Sequence, residues 1–216
     1  NTHFYKAYIR CGNIGQNGKG GHAHNDQLSI CLYCRGKNIF TDPGTYVYTP
    51  LHEKRNLFRS VKMHNTLFPD GKEQNLWEIG DKDDLFWLIK DRTKARAVHT
   101  GNNYFTGEHK GYGELHTRKL EFHLSAVSGE DILEMPGKKN VSFHLHPNVV
   151  WEYGSSEKVL ILRNDTSIVE LEFEDISPEI KEYLYSESYG YIQKSKVIKA
   201  VTEKNVIKWN IEIISS

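Results

Sequence analysis

The sequence predicts an all-β chain, a large antiparallel β-sandwich with few short helices. Three observations predict it. Short runs rich in β-branched and aromatic residues recur along most of the chain. Turn residues punctuate those runs, as at 69–71 (Pro-Asp-Gly), 102–103 (Asn-Asn) and 135–137 (Met-Pro-Gly). Several runs alternate apolar and polar side chains with period two, as a sheet with one wet face requires. The 216 residues suit one domain with a substantial core, spanning 1–216. No repeat of fixed period and no linker rich in Gly, Ser or Pro divides them.

In chain order, residues 28–33 alternate as a strand, and 38–41 resume one after a turn at 35–38. This is a hairpin signal, with Gly36-Lys37 as the two-residue loop. Asp42-Pro43-Gly44 then breaks the chain sharply. Further strands are expected at 85–90, 95–99, 116–124, 141–145, 159–162, 168–173, 191–201 and 206–214. The only helix-like stretch is 178–184. His116, His123, His144 and His146 fall in strands and are read as satisfied sheet residues, and the four tryptophans as packing.

Composition excludes several functions. Lys plus Arg equals Asp plus Glu, so no global field gathers nucleic acid, and any anion recognition must be local. No apolar run is long enough to span a bilayer as a helix. Three cysteines give no disulfide framework. Cys31 and Cys34 lie three apart in a strand and point to opposite faces, so they are expected as buried thiols rather than a redox or zinc pair. The chain starts at Asn1 without an initiator Met, as a processed or excised product would.

The chemistry is concentrated in the first third. Gly20-Gly21-His22-Ala23-His24-Asn25-Asp26 sets two imidazoles and a carboxylate within five positions. Two imidazoles can bind a metal, bind an anion or move a proton, and a polar loop at a strand edge is the plain alternative. His24, Asp42 and His64 make a two-imidazole, one-carboxylate set of the type found at zinc sites. Three separate elements must converge to build it. In a straight hairpin Cys31 faces Asp42, which leaves His24 seven residues further along, roughly 23 Å away at strand rise. The chain must therefore fold back near Asn25-Asp26. Arg55 and Arg59, four apart, would share a face on a helix or clamp a carboxylate or sulfate from a loop; a solvated basic patch is the alternative.

Taken in order, the Gly20–Ser29 stretch, Asp42-Pro43-Gly44-Thr45-Tyr46, Arg55 through Arg59, His64-Asn65-Thr66 and the later His144-Leu145-His146-Pro147 resemble the heparinase II/III-like family. The resemblance covers most of the chain, and the first 75 residues are its specific part. It implies a bacterial polysaccharide lyase in which an α/α toroid precedes an antiparallel β-sandwich, this chain being the sandwich. The N-terminal toroid domain is then the missing partner and an acidic polysaccharide, such as a glycosaminoglycan, the substrate.

The resemblance also implies roles. His22 would face the cleft as the catalytic residue. His24, Asp42 and His64 would ligate a divalent metal, usually zinc. Asn25, Tyr46, Arg55 and Arg59 are assigned to substrate. Such lyases break 4-linked uronates by β-elimination, neutralising the carboxylate, removing the C5 proton and protonating the leaving oxygen. The family's catalytic Tyr and neutralising Asn come from the toroid, so the chain alone is expected to be inactive or nearly so. A periplasmic or secreted setting follows from the same resemblance.

Arg10-Cys11-Gly12 through Gln27, with Gly71-Lys72-Glu73-Gln74-Asn75, resembles heparinase-like proteins of bacterial surface-polysaccharide assembly as much as secreted degraders. That keeps a second reading open, a metal-stabilised carbohydrate-binding or scaffold module. A cupin-type iron site fits less well. It wants a Glu shortly after the HxH pair and a later glycine-rich strand with His, and neither is present.

Overall fold

The computed structural model describes residues 1–48, 50–77 and 86–214. The first strands, β1 (Tyr5–Ile9), β2 (Ile30–Cys34) and β3 (Lys37–Phe40), form a three-stranded antiparallel sheet. Helix α1 (His52–Arg59) follows, then β4 (Leu67–Pro69). The rest is strand: β5 (Arg96–Thr100), β6 (Tyr104–His109), β7 (His116–Phe122), β8 (Ala126–Leu133), β9 (Lys139–His144), β10 (Val150–Tyr153), β11 (Val159–Asn164), β12 (Ser167–Phe173), β13 (Glu179–Tyr185), β14 (Gln193–Thr202) and β15 (Val206–Ile214).

Eight strands make one sheet, in the order β10-β11-β12-β15-β8-β7-β6-β5. Facing it is a four-stranded sheet, β13-β14-β9-β4, joined to the first three strands by a bridge between Phe40 and Leu145. The core lies between these layers. Phe143 on β9 meets Phe40, Phe173 and Trp209 at ring distances of 4.9, 6.1 and 5.0 Å. Strands with one wet face alternate cleanly, as β8 and β15 do. β9 is buried at every position, with Ser142 N and His144 N bonded to Thr66 O and Asn65 Oδ1 and the His144 ring against Tyr183. Phe58 and Met63 pack there against Tyr183, Tyr185 and Val197, forming a third layer. The site is built under that layer.

Three expectations are corrected. The helix at 178–184 is instead β13, whose residues pair in unbroken register with β14, from Glu179 opposite Lys199 to Tyr185 opposite Gln193. Tertiary pairing overrides a charged local sequence here, with Tyr183 and Tyr185 inward and Glu182 reaching Lys194 and Lys196 outside. The strand at 85–90 is absent over 86–90, and residue 85 lies outside the described residues. Leu88 and Ile89 instead donate to Lys19 O and Leu76 O in a loop. The hairpin loop is Arg35-Gly36, not Gly36-Lys37, with positive φ at both positions as a type I′ turn needs. Cys34 therefore faces Lys37, and a bulge at Leu32/Tyr33 sets Leu32 opposite Phe40. Cys31 and Cys34 do lie on opposite faces, and only Cys34 is buried.

The inner face of β6, β7 and β8 carries a polar cluster that no pattern announced. Arg118 and Asp131 sit opposite each other and bond twice, Nε to Oδ1 and Nη2 to Oδ2, both at 2.8 Å. Trp209 Nε1 donates to Asp131 Oδ2 and His116 Nε2 to Oδ1. The chain of donors fixes the tautomers. Gly111 N–H donates to His109 Nδ1, so His109 carries its proton on Nε2 and gives it to His116 Nδ1 at 3.0 Å. His116 is then protonated on Nε2, the atom facing Asp131. Both imidazoles are thereby neutral, and burial lowers both pKa values.

A histidine buried neutral contributes stability that is complete above its unfolded pKa and is lost as pH falls below it. Burial lowers the pKa of His24 and His144 as well, while His64, raised by Asp42 against the effect of burial, works in the opposite sense. Stability should therefore fall below about pH 6.5, by up to about 1.4 kcal/mol per pH unit for each buried neutral histidine. Urea midpoints in chelator at pH 7.5 and 5.0 check this; equal midpoints would sink it.

Candidate active site

The glycine loop is held from both sides. Gly21 packs so tightly under Phe86 that a Cβ would lie 2.5 Å from its ring, which fixes the approach to His22. Asn25 N donates to Arg59 O at 2.8 Å, and Ser29 N closes a turn onto Asp26 O at 2.9 Å. With Leu28 at φ 62°, this turn folds the chain back. The bend that the hairpin register demands thus spans 26–29. Arg118 braces it, donating through Nη1 to Leu28 O and Asn65 O.

The fold-back brings His24, Asp42 and His64 together, with one donor atom from each lying within 4.8 Å of the others. His64 Nδ1 and Asp42 Oδ2 are 2.9 Å apart, and the His24 and His64 rings are 5.2 Å apart. Two ligands of one tetrahedral zinc, at bonds of about 2.0–2.1 Å, are separated by roughly 3.3 Å, so this pair has nearly the spacing of two ligands on one ion. Burial, then His64, holds the His24 pKa down to about 3, which leaves a neutral imidazole with a lone pair to give. Burial opposes the Asp42 charge, but His64 outweighs it and lowers the pKa to about 2. The donor set and its spacing fit a divalent cation, and His64, whose pKa Asp42 raises, would release its proton as the ion binds.

Two contacts must yield to a metal: the proton that His64 Nδ1 donates to Asp42 Oδ2 has to leave that pair, and the Arg55 bond to His24 has to break. Arg55 Nη1 lies 3.1 Å from His24 Nε2. Arginine only donates, so that ring nitrogen is the acceptor and holds the single lone pair of the neutral ring. A metal bound through either nitrogen of His24 leaves the other protonated, so ligation by His24 and this hydrogen bond exclude each other. Asp42 is also braced through Oδ1, which accepts from Gly44 N at 2.9 Å.

His22 stands apart from this group. It is exposed, with Tyr48 and Phe86 in edge-on ring contact at 5.4 and 4.9 Å. It lines an open cleft of about 440 Å³ together with Arg10, Gln16, His24, Asp26 and Asp42. The two histidines of the HxH pair both reach the cleft but are divided by burial, His24 buried and His22 exposed.

The other predicted site residues are placed differently. Asn25 is buried and bonds Glu73 Oε2, Asn75 O and Asn75 N. Arg59 is buried under Trp77, with its guanidinium carbon 4.5 Å from the ring centre and Nε on Asn56. Arg55 is buried between His24 and Gly21 O. α1 does set both arginines on one face, but that face looks inward, and neither is part of a solvated patch. Tyr46, partly buried, packs on Phe58.

The motifs mark Asp26 as a turn residue and Asn65 as part of the HN pair, and point to no contact for these two or for Arg10 and Glu73. Asp26 lines the cleft, Arg10 Nε lies 3.6 Å from its carboxylate, and burial raises its pKa. Asn65 ties the layers together, donating to Ile30 O and Thr41 O and accepting from His144 N. Glu73 holds Asn25, Ser60 and Val61 N. The HN and GKEQN motifs marked the neighbourhoods of the last two, though not their partners.

Known proteins share this architecture. Heparan sulfate lyase HepC from Pedobacter heparinus superposes with a TM-score of 0.77 at 19% identity, over 97% of this chain and 33% of that one. A structure of heparinase III gives 0.71 at 16% identity, over 97% and 33%. At such identities the likeness is one of fold. A heparin-sulfate lyase of Bacteroides stercoris is 27% identical over 128 residues, which is 58% of this chain and 17% of that protein. The chain spans about a third of the length of the solved relatives. The sequence profile described as heparinase II/III-like, C-terminal, matches residues 1–211. With nearly the whole chain inside that profile, this protein belongs to the heparinase II/III-like C-terminal family.

Proposed function

We propose that this chain is the β-sandwich wall of the active cleft of a polysaccharide lyase that cleaves 4-linked uronate glycans by β-elimination. The observation that carries the reading is the exposed His22 on an open cleft that His24 and Asp42 also line, with His64 converged on those two. In the reaction the C5–H bond breaks, its electrons form the C4=C5 double bond, and the C4–O bond breaks as the leaving oxygen takes a proton. No water is consumed.

Charge that develops on the uronate carboxylate needs donors, and His22 and Arg10, with the Gln16 amide and the Thr45 hydroxyl, are cleft side chains able to supply them. His22 is equally placed to take the C5 proton. His24, Asp42 and His64 would hold a divalent ion, zinc by ligand type, which when bound supplies fixed positive charge behind the loop. These three residues then serve to orient the HxH backbone rather than to touch sugar. The toroid of a longer parent completes the cleft, so the 216 residues alone are expected to be inactive or nearly so in an assay of unsaturated uronate.

Elemental analysis tests the metal set. Chain purified in zinc-supplemented buffer and then dialysed should retain close to one divalent ion per molecule, and His24→Ala should lose it and melt lower. Metal-free chain after that treatment would remove the set from the proposal.

A further inference from the structure

Resting on the lyase reading, we propose that Tyr189 is a sugar-stacking platform at the outer rim of the cleft. It would take the face of a pyranose ring of the same glycan, away from the bond that breaks. Tyr189 lies in the loop between β13 and β14, far in sequence from the HxH motif, yet the fold fastens that loop to the segment carrying Asp42. Ser186 N donates to Pro43 O and Gly190 N to Tyr46 O, both at 2.8 Å. Gly44, at φ +82°, lies so close that a Cβ would sit 2.0 Å from Ser186 O. The loop also closes on itself, with Tyr191 N on Ser188 O and Ser186 Oγ donating to the same carbonyl. Its tip is therefore positioned by the site.

Tyr189 is 63% exposed. It stacks on Tyr48 at 6.0 Å and 25°. Tyr48 meets His22 edge-on at 5.4 Å and lies 5.1 Å from the Arg55 guanidinium, which reaches His24. One ring thus separates Tyr189 from the proposed catalytic residue, and an aromatic wall runs from the cleft to the rim. An exposed aromatic held rigid by a second ring loses little conformational freedom on binding. Its apolar face matches the C–H face of a pyranose ring. A glycan that occupies the cleft at His22 passes this wall as it leaves.

The test uses the full-length parent and size-fractionated tetra- and octasaccharides of heparan sulfate, hyaluronan and alginate. For the octasaccharides that bind, Tyr189→Ala should weaken binding roughly 2- to 10-fold while Tyr189→Phe binds as the parent does. The tetrasaccharides should be affected less, and melting temperature should not move. A purely structural residue would not make the loss depend on glycan length. Equal binding by Tyr189→Ala, equal loss in Tyr189→Phe, or a parent that binds none of the octasaccharides overturns the platform. So does sedimentation showing that Tyr189→Ala dissolves a dimer, which would make a second copy the occupant. The two readings fail separately. A parent that binds through Tyr189 but forms no unsaturated ends sinks the lyase reading alone, and a parent that cleaves with Tyr189→Ala unchanged sinks the platform alone.

Discussion

Asp131→Ala is expected to destabilise the fold by about 3–5 kcal/mol, because it strands a buried guanidinium. Arg118 and Asp131 are both fully buried, and the carboxylate takes two bonds from Arg118, one from His116 and one from Trp209. Asp131→Asn should recover little, since its amide cannot offset the Arg118 charge. The adjacent rung of the same hairpin provides the control. Lys119 pairs with Glu130 at 2.7 Å on the solvent side, so Glu130→Ala should cost about 0–1 kcal/mol. The damage should also travel. Arg118 holds Leu28 O and Asn65 O, the turn behind the HxH pair and the residue after His64. Urea unfolding measures the first effect, and amide exchange at 24–29 and 64–66 the second. A loss under about 1 kcal/mol, or no difference from Glu130→Ala, would refute the assignment.

The same cluster marks where sequence reasoning stops. Strands such as β12 and β15 were legible because each buries one face, and period two then appears in the residues themselves. β7 was legible as a strand too, but two of its inward positions are His116 and Arg118, which only cross-strand partners can satisfy. β13 was hidden for a related reason: its backbone pairs with β14 and its Glu182 with Lys194 and Lys196 there, a relation absent from the local sequence. In the site, the motifs named His24, Asp42 and His64, and hairpin geometry demanded the fold-back that brings them together. The direction of the α1 arginines was not legible. An i, i+4 pair defines a face, but whether that face looks outward depends on what lies across from it, here Trp77 and the HxH loop. Tyr189 was invisible for the same reason, since the contact that gives it meaning spans most of the chain.

His22→Ala in a full-length parent is expected to lower turnover about 10²- to 10⁴-fold, the range for a general base or for a donor to developing charge. Metal content and melting temperature should hold, because the ring is exposed and meets its neighbours only edge-on. His24→Ala should do the reverse at the level of the fold, losing metal and melting temperature together, because that ring is buried among Arg55, Thr45 and His64. His22→Gln separates the two roles open to His22. An amide still donates to a uronate carboxylate but cannot take the C5 proton, so partial activity identifies a neutraliser and loss equal to alanine identifies a base. Turnover unchanged by His22→Ala would end the catalytic assignment. Metal retained without His22-dependent turnover would favour a metal-stabilised glycan-binding module instead. The contrast is informative because the two histidines are separated by a single alanine and differ only in which way the loop turns them.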